Sequence, residues 1–338
     1  MKRKQMKKRP ISLFLMMILL LSVTACGSSN LKGKFQKTGT YFDTVIQVTV
    51  YQKSEEKYLD GCMKLAAKYE NLFSTTVKDS DISRINSAQG QPVEVSKETI
   101  QLIQTGIKYG ELSHGAFDIT VGKLSKLWQA ALKEEKVPSQ EEVDRAKSSV
   151  DYHRIRIAKN QVTLTDPETE IDLGGIAKGY IADQMRHYLE KNGVKAALIN
   201  LGGNVLTLGV KEDGSSYTIG LQKPFSDAGQ VAASVTVHDM SVVTSGTYER
   251  YFKSQGRIYH HLLDLKTGYP KETDVTAATV FTKNSVDGDA LSTILFLMGP
   301  DQGIPFAESK GLECVYILSD GSIRKSSGIG KTIDFTEM

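Results

Sequence analysis

Asp289 and Thr293 lie four residues apart at the head of a strongly apolar stretch, residues 290–298. On a helix that spacing puts a carboxylate and a hydroxyl on one face. The pair offers hard oxygen ligands, suited to Mg²⁺ that also grips phosphate oxygens. The same residues serve a helix without any ion, since an N-terminal acid complements the dipole and a threonine bonds back one turn. The run His260-His261-Leu262-Leu263-Asp264-Leu265-Lys266-Thr267-Gly268 places two histidines at the end of an extended stretch, before a polar turn. Strand alternation sends one imidazole inward and the other outward, and an inward one near Asp264 is placed to act as a general base. A surface pair beside a turn fits the same letters. Zinc fits poorly, because no His-Glu-x-x-His occurs and the six histidines are scattered. The segment from Thr244 through Ser245, Gly246, Glu249 and Arg250 to Phe252 supplies hydroxyls, a glycine and aromatics. It suits either a pocket for a phosphate and a planar ring or ordinary strand-turn packing. No Gly-x-Ser-x-Gly elbow supports a nucleophilic serine.

These residues need a frame, and its centre is Asp172-Leu173-Gly174-Gly175-Ile176-Ala177-Lys178-Gly179-Tyr180. Residues 161–165 and 170–171 upstream read as extended, while Ile176, Tyr180, Ile181, Met185, Tyr188 and Leu189 recur at helical spacing. Asn192-Gly193 is a natural stop. The stretch is a strand, a glycine turn and a helix start, which either lets backbone approach an anionic ligand or simply joins two elements tightly. It matches neither dinucleotide nor P-loop glycine patterns. A β-branched strand is expected over 44–51, a helix from about Ser54, and a helix opened by Ser96. Ser139-Gln140-Glu141-Glu142 has capping-box spacing. A hairpin over 152–165 turns at Lys159-Asn160, with Asn suited to positive φ. Further strands recur from 195 to 282, the apolar helix ends at Gly299-Pro300, and a hairpin turns at Asp320-Gly321. The pattern predicts one compact mixed α/β unit over 36–338, without a flexible join.

Hydrophobic content of 40% and charged content of 24% exclude a largely disordered chain. Residues 1–25 hold six positive charges and no acid, so losing them turns the net charge from +3 to −3. Bulk charge then gives no reason to expect nucleic acid. The basic start and the apolar run over 11–23 fit a signal peptide better than a membrane span. Leu21-Ser22-Val23-Thr24-Ala25-Cys26-Gly27 resembles the bacterial lipoprotein signal, with Cys26 lipidated after cleavage and residues 26–35 as a tether. An ordinary secretory signal with an incidental cysteine is the other reading. Cys62 and Cys314 sit among apolar neighbours and are expected to be buried free thiols, with a disulfide between them the alternative in an exported protein.

The order of the motifs resembles the ApbE family, FAD:protein FMN transferases of the bacterial envelope. The likeness is carried by Ser80–Asn86, Gly115–Gly122, Asp172–Gly179, Asn200–Asn204, Thr244-Ser245-Gly246, His261–Asp264 with Thr267-Gly268, and Asp289–Thr293. It implies a two-lobed catalytic unit that binds FAD in a cleft between the lobes. It implies transfer of FMN from FAD to a threonine or serine hydroxyl of an acceptor protein, with release of AMP. In that resemblance Gly175, Asp289 and Thr293 hold Mg²⁺, while Ala116, Phe117, Asp118, Asp172, Lys178 and Leu262 line the FAD site. His261 is the base, with Asp264 beside it. The implied partner is an envelope electron-transfer protein with a threonine-containing flavinylation motif, and the implied location is extracytoplasmic, lipid-anchored to the cell membrane. FAD hydrolysis and a non-catalytic FAD-binding lipoprotein are the alternatives. Leu265 replaces the family's usual proline, and Thr76 stands where an aromatic residue is common.

Overall fold

A computed structural model describes residues 33–227 and 229–338. The expected signal, Cys26 and most of the tether lie outside the described residues. No helix among the described residues is long and apolar enough to cross a membrane.

The frame is an eight-stranded sheet in the order Phe35–Tyr41, Thr44–Val50, Ala197–Leu201, Asn204–Leu208, Ser241–Gly246, Val275–Thr282, Glu313–Leu318 and Ile323–Lys325. Every neighbouring pair is antiparallel. Both faces are covered, so alternate residues enter different cores. Val243, Cys314 and Tyr316 join the helix-side core, while Val242 and Val315 join the opposite one. Helices Leu59–Phe73, Lys97–Leu112, Ala177–Lys191, Ser285–Met298 and Pro300–Ser309 supply the first cover. A small sheet of Asp334–Glu337, Val231–Val237 and Tyr217–Gln222 supplies the second.

A third, separate core forms the smaller lobe. Helices Gly122–Glu134 and Gln140–Lys147 bring Leu124, Trp128 and Val143 against Phe252 and Leu263. Phe252 sits on a two-stranded hairpin, Tyr251–Ser254 with Arg257–His260. The mixed α/β, two-lobed expectation holds.

Local chemistry explains most boundaries. Ser96 Oγ accepts from Thr99 N–H, and Ser139 and Glu142 form the reciprocal capping box. Cys62 and Cys314 are buried and unpaired, and burial pushes both thiols up to about 12. Three expectations shift. The first helix begins as a 3₁₀ turn, Lys53–Tyr58, before the α-helix. In the hairpin it is Lys159, not Asn160, that takes φ of 55°. Asn160 instead donates to Glu94 Oε1 and accepts from Val95 N–H through its carbonyl. The apolar helix starts at Ser285, one turn before its apolar run, because its first N–H groups find a carboxylate outside the helix.

Candidate active site

The Asp172–Gly179 turn is built from backbone inward. Asp172 N–H donates to the Ile119 carbonyl at 2.8 Å, and Asp172 Oδ1 accepts Gly174 N–H at 2.8 Å. That side-chain turn reverses the chain into helix Ala177–Lys191, which has no side-chain cap of its own. The missing acceptor comes from the neighbouring helix, where Asp289 Oδ2 accepts Gly179 N–H at 2.9 Å. Asp183 returns the favour, taking Ser285 N–H on Oδ1 at 2.8 Å and Val286 N–H on Oδ2 at 2.9 Å. Asn284, the cap position of the second helix, makes no side-chain cap bond. Each helix is thus capped by a carboxylate from the other. This contact accounts for Gly179, since a Cβ there would lie 2.2 Å from the Ser285 carbonyl oxygen. Gly175 is similarly constrained by space, its would-be Cβ falling 2.9 Å from the Phe117 ring.

Asp289 is 4% exposed. Its Oδ1 faces Lys178 Nζ at 3.6 Å, and that ammonium also donates to the Gly174 carbonyl at 3.4 Å. One turn along, Thr293 Oγ1 lies 3.3 Å from Ser245 Oγ, which in turn meets Ser292 Oγ at 2.9 Å. Among the described residues no three His, Cys, Asp or Glu side chains converge as a metal cluster. Asp289 and Thr293 bring a carboxylate and a hydroxyl to the cleft that Gly175 also lines, and such hard oxygens suit Mg²⁺ completed by water and phosphate rather than zinc. Glu249 adds a further carboxylate to the cleft, beside Asp118, Asp172 and Asp289. Crowding by its surroundings pushes its carboxyl upward, only partly offset by Lys178 and Arg250, although its outer edge is open to solvent.

The two histidines separate cleanly. His260 is buried, its Nδ1 accepts Leu262 N–H at 3.2 Å, and its Nε2 therefore carries the proton donated to the Lys271 carbonyl at 3.2 Å. Burial lowers its pKa to about 4. His261 lines the cleft, and its Nδ1 has no hydrogen-bond partner. Burial, then the charges of Arg250, His260 and Lys178, lower its pKa to about 3, with the Arg250 backbone opposing. A neutral imidazole facing the cleft is in the form a general base requires.

Asp264 lies outside the cleft lining. Its Oδ2 accepts from Lys271 Nζ at 2.9 Å and its Oδ1 from Lys266 N–H at 3.0 Å. Partial burial pushes its carboxyl up, but Lys271 and the Lys266 N–H outweigh this and hold it below the usual range. Since Lys271 also accepts from His260, Asp264 steadies the turn that follows His261 and touches no reacting centre.

One cleft gathers the remaining ten sequence-derived residues: Ala116, Phe117, Asp118, Asp172, Gly175, Lys178, His261, Leu262, Asp289 and Thr293. The Asp118 carboxylate is already engaged, with Oδ1 accepting from Thr120 N–H and Oγ1 and Oδ2 from Tyr152 N–H. It shapes the wall, and burial raises its pKa. The cleft also includes Phe42, Trp128, Asn204, Glu249 and Arg250. Glu249 and Arg250 fall in the 244–252 segment read as a pocket candidate, and Asn204 ends a quoted motif. Asn204 Nδ2 is a second buried atom without a partner. Phe42 and Trp128 carry no motif; the chain's single tryptophan is the one signal that pointed there.

The profile of the ApbE family matches residues 42–316. A FAD:protein FMN transferase from Klebsiella pneumoniae (strain 342) is 38% identical over 278 residues, covering 81% of this chain and 86% of its own. One from Treponema pallidum (strain Nichols) is 30% identical over 332 residues and 92% of each chain. An ApbE protein structure from Thermotoga maritima aligns with a TM-score of 0.81 at 30% identity, covering 87% of this chain and 97% of that one. The flavin transferase ApbE of Vibrio cholerae aligns with a TM-score of 0.76 at 27% identity over the same shares.

Proposed function

The chain belongs to the ApbE family, and from that premise we propose that it moves FMN from FAD onto a threonine or serine hydroxyl of an acceptor flavoprotein, with Mg²⁺ bound. The carrying observation is a single cleft in which a hard-oxygen set and a lysine stand with a neutral, partly unpartnered histidine. Gly175, Asp289 and Thr293 would hold the ion, which lends positive charge to the pyrophosphate oxygens. Lys178 balances Asp289 and turns the same charge toward the phosphates. His261 takes the proton of the acceptor hydroxyl as its oxygen attacks the FMN phosphorus. The new bond is the acceptor O–P ester; the bond that breaks is the bridging P–O, and AMP leaves with that oxygen. Phe117 and Leu262 give a planar ring an apolar wall.

The acceptor is read as an envelope electron-transfer protein, where a covalent link prevents loss of flavin. The signal-like start and Cys26 support a lipid-anchored, extracytoplasmic enzyme with a tether long enough to reach a neighbour. The test is intact mass of a threonine-containing acceptor incubated with FAD, Mg²⁺ and the protein, beside His261→Ala and a chelator. An FMN adduct that needs both metal and His261 supports transfer. FMN and AMP without adduct would replace transfer by hydrolysis, and intact bound FAD throughout would replace both by a carrier.

A further inference from the structure

Six large apolar side chains are exposed among the described residues, and three of them gather beside the cleft: Phe225 (41%), Tyr251 (38%) and Ile258 (40%). The Phe225 and Tyr251 rings meet edge to face at 5.0 Å, and Tyr248 closes on Phe225 at 6.3 Å. In the hairpin, Tyr251 pairs with His260 and Lys253 with Ile258, so Tyr251 and Ile258 share one face by alternation. The other face, Phe252 with Tyr259, stacks on Trp128 and belongs to the small core. Phe225 takes φ of 56°, a backbone state that bulky residues rarely adopt.

Two features say what covers this patch. The first is continuity with the cleft: one end of the hairpin runs from Glu249 and Arg250, the other into His261 and Leu262, and all four line the cleft. A segment resting on the open end of the hairpin, at Tyr251 and His260, lies beside the base. The second is charge. Positions 250–260 hold Arg250, Lys253 and Arg257 and no acid. Arg257 faces Glu272 at 3.1 Å in an exposed pair of little strength, and Arg250 lies close enough to Glu249 to act on its charge.

We propose that Phe225, Tyr251 and Ile258, with Lys253 on the same hairpin face, form the docking surface for the acceptor protein. The acceptor lays a segment with apolar and acidic side chains along this hairpin, so that its hydroxyl enters the cleft at His261. This rests on the transferase reading, and the experiment separates the two. The probes are a fluorescent peptide with one threonine flanked by aspartates and leucines, and a twin with valine in place of that threonine.

Anisotropy with the valine twin reads docking without chemistry. Phe225→Ser with Tyr251→Ser should weaken it about tenfold, as loss of aromatic anchors does. With the threonine peptide, the same variant should raise KM to a similar extent and leave kcat and FAD binding, read by Trp128 quenching, unchanged. Lys253→Glu should flatten the salt dependence of docking. Failure of the wild-type protein to bind the valine twin, or equal affinity in the double variant, overturns the proposal. So does a variant that loses only binding to phosphatidylglycerol vesicles, or only self-association in sedimentation, with peptide affinity intact. Docking that depends on the patch without any FMN transfer keeps the surface and removes the transferase reading.

Discussion

On one wall of the cleft, helices Ala177–Lys191 and Ser285–Met298 are joined by three carboxylate-to-backbone hydrogen bonds, from Asp183 and Asp289. On the other, Trp128, Leu132, Leu263 and Leu265 face the same space from a small aromatic core. The first wall uses directional bonds that are short, buried and charge-assisted, and it carries the oxygens and ammonium that would meet phosphates. The second uses dispersion and ring stacking, which hold a shape but tolerate small sliding. Charge that must be stabilised at a fixed point demands the first arrangement. A surface that receives a planar ring and then a protein segment is served by the second. The two neighbouring histidines repeat the contrast, His260 being tied at both nitrogens and His261 open on one.

Four measurements break or sharpen this contrast. The largest effect is expected at the open histidine: His261→Ala should lower kcat by about 10²–10⁴. Its thermal stability should stay within about 1.5 kcal/mol of wild type, because only one hydrogen bond, to the Arg250 backbone, is lost. Calorimetry showing a large stability loss would make His261 a structural residue like its neighbour. Next, Asp183→Ala strands the Ser285 and Val286 N–H groups and should cost about 2–4 kcal/mol in denaturant unfolding. Trp128→Phe loses the bond from Nε1 to the Gly268 carbonyl (2.8 Å) but keeps most of the stack, and should cost about 1–2 kcal/mol. If the tryptophan change proved the costlier, the directional wall would not be the firmer one.

The last measurement is a pH dependence. His260 and His261 titrate at about 4 and about 3 when folded, against about 6.5 in an unfolded chain. As pH falls below 6.5 the unfolded state binds protons first, so stability declines through that window and is unaffected by these groups above it. His260→Gln should flatten the slope of Tm between pH 6.5 and 4 relative to wild type. An unchanged slope would show that the buried histidines do not govern it.

Much of this was legible in the chain because it is local. Capping residues, strand alternation and the turn at Asp172 follow from letters a few positions apart, and the motif resemblance gathered ten residues that share one cleft. What escaped is long-range. Gly179 reads as part of a ligand turn, yet it is glycine because a second helix passes at contact distance. Asp183 follows the central turn in the sequence with no sign of its role, and the Ser285 N–H that it caps lies more than a hundred residues away. Asp264 reads as a partner of the histidines, whereas Lys271 draws it into the following turn. Phe42 and Trp128 enter the cleft only because the two lobes face each other.

The span of that cleft, from Phe42 to Leu297, also governs when it can exist. Strand Thr44–Val50 waits for Ala197–Leu201 to pair with it, and the Asp289 carboxylate arrives still later. Such non-local closure is slow compared with helix formation. A polypeptide emerging from the ribosome therefore has no complete site until Leu297 has been made and folded back on Phe42; the site then arrives whole or not at all.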